Sequence, residues 1–241
     1  MVRLTASHGI ASVTLADPGS ANALGEPMVH ALQDAFETID RDSGVRVVVL
    51  SGEGDSFSCG APRELLLRLA AGEVRPTDIL LPRLLLDCPV PVVAAMAGHA
   101  TGGGFALGLA ADIVLIGADS RYGFTFMNLG FTPGMGTTRL CEHVLSAAVA
   151  HELLYTGELR RGRAFAGSGI NHVLPREEVV AAALDIAARI ADKPRHAVTA
   201  LKRTLSLPRR RAFETSITHE SFMHQITLGG AAHRIQDEYV E

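Results

Sequence analysis

Three consecutive glycines, Gly102, Gly103 and Gly104, stand in the stretch GHATGGGFALGLAAD at residues 98–112. The apolar run Val90-Pro91-Val92-Val93-Ala94-Ala95-Met96 before them reads as a buried strand, and an Ala- and Leu-rich helix follows. Glycines at a strand-to-helix junction let backbone N–H groups come close to a ligand at the positive end of a helix dipole. Such a device can hold a carbonyl oxygen while negative charge builds on it. The first helical turn, Phe105-Ala106-Leu107, carries no acid or base. The chain keeps an anion-stabilising device and puts no proton-transfer group beside it.

The elements that must position this device can be read on either side of it. Ile10 to Leu15 alternates as a strand does, and the turn-rich DPGSAN (17–22) follows. Residues 26 to 41 place Met28, Leu32, Ala35, Phe36 and Ile39 on one helical face. Val45 to Leu50 is a short apolar strand. Phe57-Ser58-Cys59-Gly60-Ala61-Pro62 is a second tight segment with glycine after a strand, and Glu64 to Ala71 is helical. Gly72 to Asp78 reads as a mobile loop bracketed by Gly and Pro. A strand at Ile113–Ile116 and a Gly/Pro turn at 130–136 come next. From Thr137 onward the pattern predicts helix almost throughout, with Pro194 and Pro208 each starting a new one. Strands alternating with helices, then helices alone, predict an α/β core with a C-terminal helical extension.

The chain of 241 residues carries 47% hydrophobic and 20% charged residues, so it can bury a core and is not disordered. A net charge of -4 gives no electrostatic reason for nucleic-acid binding. Cys59, Cys88 and Cys141 are odd in number and widely spaced, which argues against a disulfide framework or a zinc site and for a reducing cytoplasm. MVRLTASHGIASVTL reads as an amphipathic strand and not as a signal peptide. No apolar run reaches membrane-spanning length.

NAL (22–24), VVVLSGEGDSFSCGA (47–61), PVVAAMAGHATGGGFALGLAADIVL (91–115) and LGFTPGMGTTRL (129–140) resemble, in order and spacing, the enoyl-CoA hydratase/isomerase (crotonase) superfamily. The resemblance covers nearly the whole chain. It implies an α/β crotonase fold of repeated ββα units in two roughly perpendicular sheets. It divides the chain into a core domain at 1–190 and a helical region at 191–241 that trimerises and completes the active site. It also implies a homo-trimer or hexamer, and an acyl thioester whose carbonyl sits between two backbone N–H groups, here those of Ala61 and Gly103. Gly102, Gly104, Leu65, His99, Phe126 and Phe131 are the residues expected to line the acyl site. The thioester is carried on the phosphopantetheine of an acyl carrier protein or on CoA, with no metal and no redox cofactor.

The departures from the family pattern narrow the chemistry. Hydratases of this superfamily carry two glutamates at positions that are Ala106 and Phe126 here. Neither residue can hold and hand over a proton, so hydration by that route is not expected. LLLDCPVPVVAAMAGH (84–99), FMNLGFTPGMG (126–136) and the late Ser221-Phe222-Met223-His224 are similar to a subgroup lacking both glutamates, the second of the paired hydratase-like enzymes of polyketide β-branching. That subgroup decarboxylates a 3-methylglutaconyl-type chain on an acyl carrier protein. It returns a proton with a C-terminal-helix histidine and a loop lysine. His224 matches the histidine, with His219 and His233 as rivals, and Glu220 four residues earlier is expected to favour its charged form. The lysine position falls on Arg75, which can grip a carboxylate but is a poor proton donor. Arg209-Arg210-Arg211 reads as a solvated helix start, or as a contact for an acidic carrier protein or a phosphopantetheine phosphate. A double-bond isomerase or dehydratase-like variant, and a non-catalytic carrier-binding subunit, stay open beside the decarboxylase.

Overall fold

The computed structural model describes residues 1–238, and Tyr239 to Glu241, the end of the expected helical region, lie outside the described residues. A hairpin opens the chain, β1 (Val2–Ser7) and β2 (Ile10–Leu15), turned by His8 and Gly9 at positive φ. Helix α1 (Glu26–Arg41) then crosses to β3 (Val47–Gly52), and β4 (Ser56–Ser58) leads into α2 (Arg63–Ala70). Helix α3 (Leu81–Asp87) precedes β5 (Val92–Met96), β6 (His99–Thr101) and α4 (Gly103–Leu109). Strands β7 (Ile113–Gly117) and β8 (Arg121–Gly123) follow, then α5 (Thr137–Leu140) and α6 (Ala147–Thr156). The chain closes through β9 (Leu159–Arg161), β10 (His172–Leu174), α7 (Arg176–Ala191) and α8 (Arg195–Glu238).

Two sheets result. The first runs β1-β2-β3-β5-β7-β10, antiparallel only at the hairpin; the second runs β4-β6-β8-β9, antiparallel only at β8–β9. The central strands read as unbroken apolar runs because both their faces are covered. Val48, Leu50, Val92 and Ala94 face the main core, while Val47, Val49, Val93 and Ala95 face Val179, Ala183, Ala187 and Ala191 of α7. Those four recur every fourth residue, one stripe of a helix.

Two expectations change in the C-terminal half. Beyond Thr137 the chain is not helical throughout, since β9 and β10 each add a three-residue strand, too short to show an alternation in sequence. Pro208 does not start a helix but lies inside the 44-residue α8. Proline forfeits one helical hydrogen bond, and here the deprived carbonyl is that of exposed Thr204. Anchors on both sides carry the helix through. Lys202 Nζ donates to Asp112 Oδ2 at 2.6 Å and to the Leu85 carbonyl at 3.0 Å. Arg209 bonds Asp112 Oδ1 and the carbonyls of Ala110 and Ala111 at the end of α4. Arg209 is therefore not a solvated residue, and Arg210 pairs with Asp87; only Arg211 of the three is exposed.

Asp112 also accepts the Val92 N–H at 2.8 Å, so one carboxylate ties β5, α4 and α8 together. Lys202 is buried, and losing its partner would leave uncompensated charge in the interior. Asp112→Ala should cost about 3–5 kcal/mol, read by urea denaturation; a loss below about 1 kcal/mol would show that the pair behaves as a surface ion pair.

Candidate active site

The two glycine turns expected to act together lie against each other. Gly60 has φ +85°, and a side-chain carbon on it would sit 2.9 Å from both the Gly103 nitrogen and the Thr101 carbonyl oxygen. Gly102 has φ +51° and ψ -120°, a combination that L side chains rarely adopt, and caps α4. Its N–H is held by the Gly123 carbonyl. The turn bearing Ala61 is fastened from below: Cys59 N–H donates to the Ala21 carbonyl, and Leu24 N–H to the Gly60 carbonyl. Buried Asn22 closes this base. Its side-chain N–H groups donate to the Glu53 and Ser56 carbonyls, and its side-chain oxygen accepts the Asp17 N–H.

A cavity of about 80 Å³ opens between these turns, with Ala61, Gly102, Gly103, Phe126, Phe131 and His224 among its lining residues. Phe126 packs edge-on against Phe131 (ring centroids 5.8 Å apart) and stacks on Phe124, which leads into a fully buried aromatic cluster of Phe105, Tyr122 and Phe165. Ala106 is buried behind the glycines. The positions expected of the two hydratase glutamates are thus apolar and buried.

His224 is 7% exposed and lies flat on the loop at Gly134, where a side-chain carbon would come within 3.0 Å of the ring. Its Nε2 is 3.0 Å from the Thr132 carbonyl, which fixes that nitrogen as the N–H donor. Nδ1 is buried and has no hydrogen-bond partner among the described residues. Burial lowers the imidazole's pKa, and the Thr132 and Pro133 carbonyls only partly oppose this. The lowered pKa favours the neutral form, whose free lone pair is at Nδ1.

Glu220 does not favour the charge on His224, contrary to expectation. Its Oε2 accepts the Gly136 N–H at 2.7 Å, and its Oε1 accepts the Thr138 N–H and hydroxyl at 3.0 and 2.8 Å. Both oxygens are spent on the loop. Burial raises this carboxyl's pKa, and the three donors oppose the rise.

A second space, a groove of about 460 Å³, shares His224 with the first and is edged by Arg75, Ser221 and Gln225. Arg75 sits on an exposed turn, and its guanidinium makes no ion pair among the described residues. Three expected lining residues lie elsewhere. Gly104 packs on β4, where a side-chain carbon would fall 2.2 Å from the Ser58 carbonyl oxygen. His99 Nδ1 accepts the Arg121 N–H at 2.8 Å, joining β6 to β8 away from the cavity. Leu65 is buried away from the cavity, and Leu66 and Leu69 of the same helix reach it instead. Sequence reasoning also missed Met135, held at φ +61° with its sulfur packed over Gly103; its one sequence signal is a place between two glycines. The rival His219 is exposed, and His233 pairs with Asp237 far along α8. Burial pushes the thiols of Cys88 and Cys141 up to about 11 and about 12, so neither is a nucleophile at neutral pH.

Residues 5–238 match the enoyl-CoA hydratase/isomerase family. The chain belongs to it. Within this family the chain is 39% identical over 220 residues to the bacillaene synthase decarboxylase PksI of Bacillus subtilis, covering 91% of this chain and 88% of that one. A solved member of a dehydratase/decarboxylase enzyme couple involved in polyketide β-branching superposes with TM-score 0.96 at 37% identity, over 100% of this chain and 99% of that one. The decarboxylase domain of CurF from Lyngbya majuscula gives 0.92 at 38% identity, over 99% of each. The crotonase fold expected from sequence is the observed one.

The depressed His224 pKa fixes a sign. Its folded value lies below the unfolded value of about 6.5, so its contribution to stability is complete above about pH 6.5 and is lost as pH falls through the folded pKa. His224→Gln should lessen the acid-side loss of stability in urea titrations below that pH. An NMR titration placing the His224 pKa at or above the unfolded value would contradict this.

Proposed function

We propose that this enoyl-CoA hydratase/isomerase family member is a decarboxylase acting on a 3-methylglutaconyl-type thioester of an acyl carrier protein in polyketide β-branching. The observation that carries the reading is the pairing of the two glycine turns around a cavity that Phe126 and His224 line, with Ala106 buried nearby and no carboxylate among the lining residues. The likeness to PksI and to the CurF decarboxylase domain supports it.

The chemistry follows from where charge moves. The thioester carbonyl is the electron sink, so the reaction needs no metal or redox cofactor beyond the carrier's phosphopantetheine, with CoA as the alternative carrier. The bond to the carboxylate carbon breaks, CO₂ leaves, and the electron pair passes through the enoyl system to the thioester oxygen. The Ala61 and Gly103 amides stabilise that oxyanion, a kind of contact worth roughly 10²–10³ in rate per donor. Arg75, at the mouth of the groove that also reaches His224, orients the carboxylate. The arriving carboxylate raises the His224 pKa, because a nearby negative charge favours imidazolium. Nδ1 thereby takes a proton from solvent and delivers it to the dienolate carbon. Phe126 and Phe131 keep water from the site, so the carboxylate is poorly solvated before it leaves.

Apolar side chains on α8, Leu201 with Leu205 and Phe222 with Ile226, stand in exposed pairs one turn apart. They support assembly as a homo-trimer or hexamer, which would cover them. Among the described residues no helix is long and apolar enough to cross a membrane, and the reaction suits the cytoplasm.

Mass spectrometry of a carrier-bound 3-methylglutaconyl substrate should show loss of CO₂, and His224→Ala should lower kcat by roughly 10²–10⁴. Arg75→Ala should raise KM more than it lowers kcat. An unchanged substrate mass with folded protein would sink the decarboxylase reading and leave isomerisation or simple carrier binding; NMR of the product's vinyl protons separates those two.

A further inference from the structure

Along one face of α8, four polar side chains at spacings of four, four and three residues all bond to a single segment, residues 132–139, the loop before α5 and that helix's first turn. Ser216 Oγ accepts the Arg139 N–H, and Glu220 takes the Gly136 and Thr138 donors. His224 donates to the Thr132 carbonyl, and Thr227 Oγ1 accepts the Thr132 N–H. Buried polar groups are costly unless hydrogen-bonded, and within this stripe only His224 Nδ1 is left without a partner among the described residues. Glu220 makes three of these bonds and is 3% exposed.

The loop needs the restraint. Met135 and Gly136 sit in succession at φ +61° and +76°, and the left-handed conformation costs a side-chain-bearing residue about 1–2 kcal/mol. Glu220 grips the strained turn at its second residue. The same loop supplies the carbonyl that decides which nitrogen of His224 bears hydrogen, and Gly134, on which the ring lies.

We infer that Glu220 is a positioning residue for proton transfer: its carboxylate holds the 132–139 loop so that the Thr132 carbonyl keeps His224 as the Nε2–H tautomer and reserves Nδ1 for the transferred proton. The inference rests on the decarboxylase reading for the proton's destination, not for the geometry. Glutamine would leave an NH₂ facing the Gly136 N–H, donor against donor. The turn would relax, the Thr132 carbonyl would move, and His224 would sample both tautomers.

The test uses ¹⁵N-histidine-labelled protein, with His224 assigned from the His224→Gln spectrum. In the wild type, long-range ¹H–¹⁵N correlations should show a protonated Nε2 and a bare Nδ1. In Glu220→Gln the two nitrogen shifts should move toward each other, while kcat falls roughly tenfold to a hundredfold with KM changed less. If Glu220→Gln does not fold, Thr138→Val removes one donor at constant shape and should give the same shift in smaller measure; Thr138→Ser keeps the hydroxyl and should keep the wild-type spectrum. Variants that lose activity or stability with an unaltered His224 spectrum would overturn the inference. A wild type that shows the expected tautomer but releases no CO₂ would overturn the reaction and leave the positioning role standing.

Discussion

Two backbones approach each other more closely here than any side chain would allow, and the site depends on that approach. Gly60 meets the Gly103 nitrogen, and Gly104 meets the Ser58 carbonyl. The first turn of α4 can therefore lie directly on β4, with Ala61 and Gly103 on one cavity. Hydrogen bonds from residues 59 and 24, and the buried Asn22 side chain, hold the lower turn where the upper one needs it. In the proposed reaction, amides fixed in this way would stabilise an oxyanion without reorganising.

The histidine that lines the cavity comes from far along the chain. Helix α8 is pinned at one end by the Lys202–Asp112–Arg209 network and in the middle by Glu220, so His224 reaches the cavity from a rigid support. The network is a costly one to bury, since each charge must be matched. Its return is registry. Asp112 joins the sheet to α8 near where α4 ends, so the helix carrying the histidine and the helix carrying the oxyanion amide are referenced to one carboxylate.

Much of this was legible in the sequence, and the gaps have physical causes. Helix α1 and the apolar strands were read correctly because burial on one face or both writes a period into the residues. Strands β9 and β10 are three residues long and write none. Pro208 reads as a helix start because a local rule cannot see the anchors at Lys202 and Arg209 on either side of it. At the site, the glycines indicated which two turns meet at the cavity. The partners of polar groups were not legible: Glu220 and His224 stand four residues apart on one helix, yet both turn to the same loop. Helical spacing says that two side chains are neighbours, not that they bond to each other. Leu65 and Leu66 illustrate the same limit, because one residue's rotation about α2 decides which of them faces the cavity.

The absence of acids near the glycines then acquires a direction. Hydration requires water in the site and a base to activate it, and buried Ala106 and Phe126 supply neither. Loss of CO₂ needs the reverse, a dry pocket in which a carboxylate is poorly stabilised while a thioester oxygen is well stabilised. A neutral His224 with a bare Nδ1 suits the same sequence of events. In the proposed reaction it gains its charge only when the carboxylate arrives, and so holds the proton that the dienolate carbon takes. An acid that was permanently ionised would instead repel the carboxylate, and a second cation at that depth would stabilise further the carboxylate that must be lost. Arg75 meets this constraint by lying outside, on the exposed rim, where solvent screens its charge and it can orient the carboxylate without trapping it.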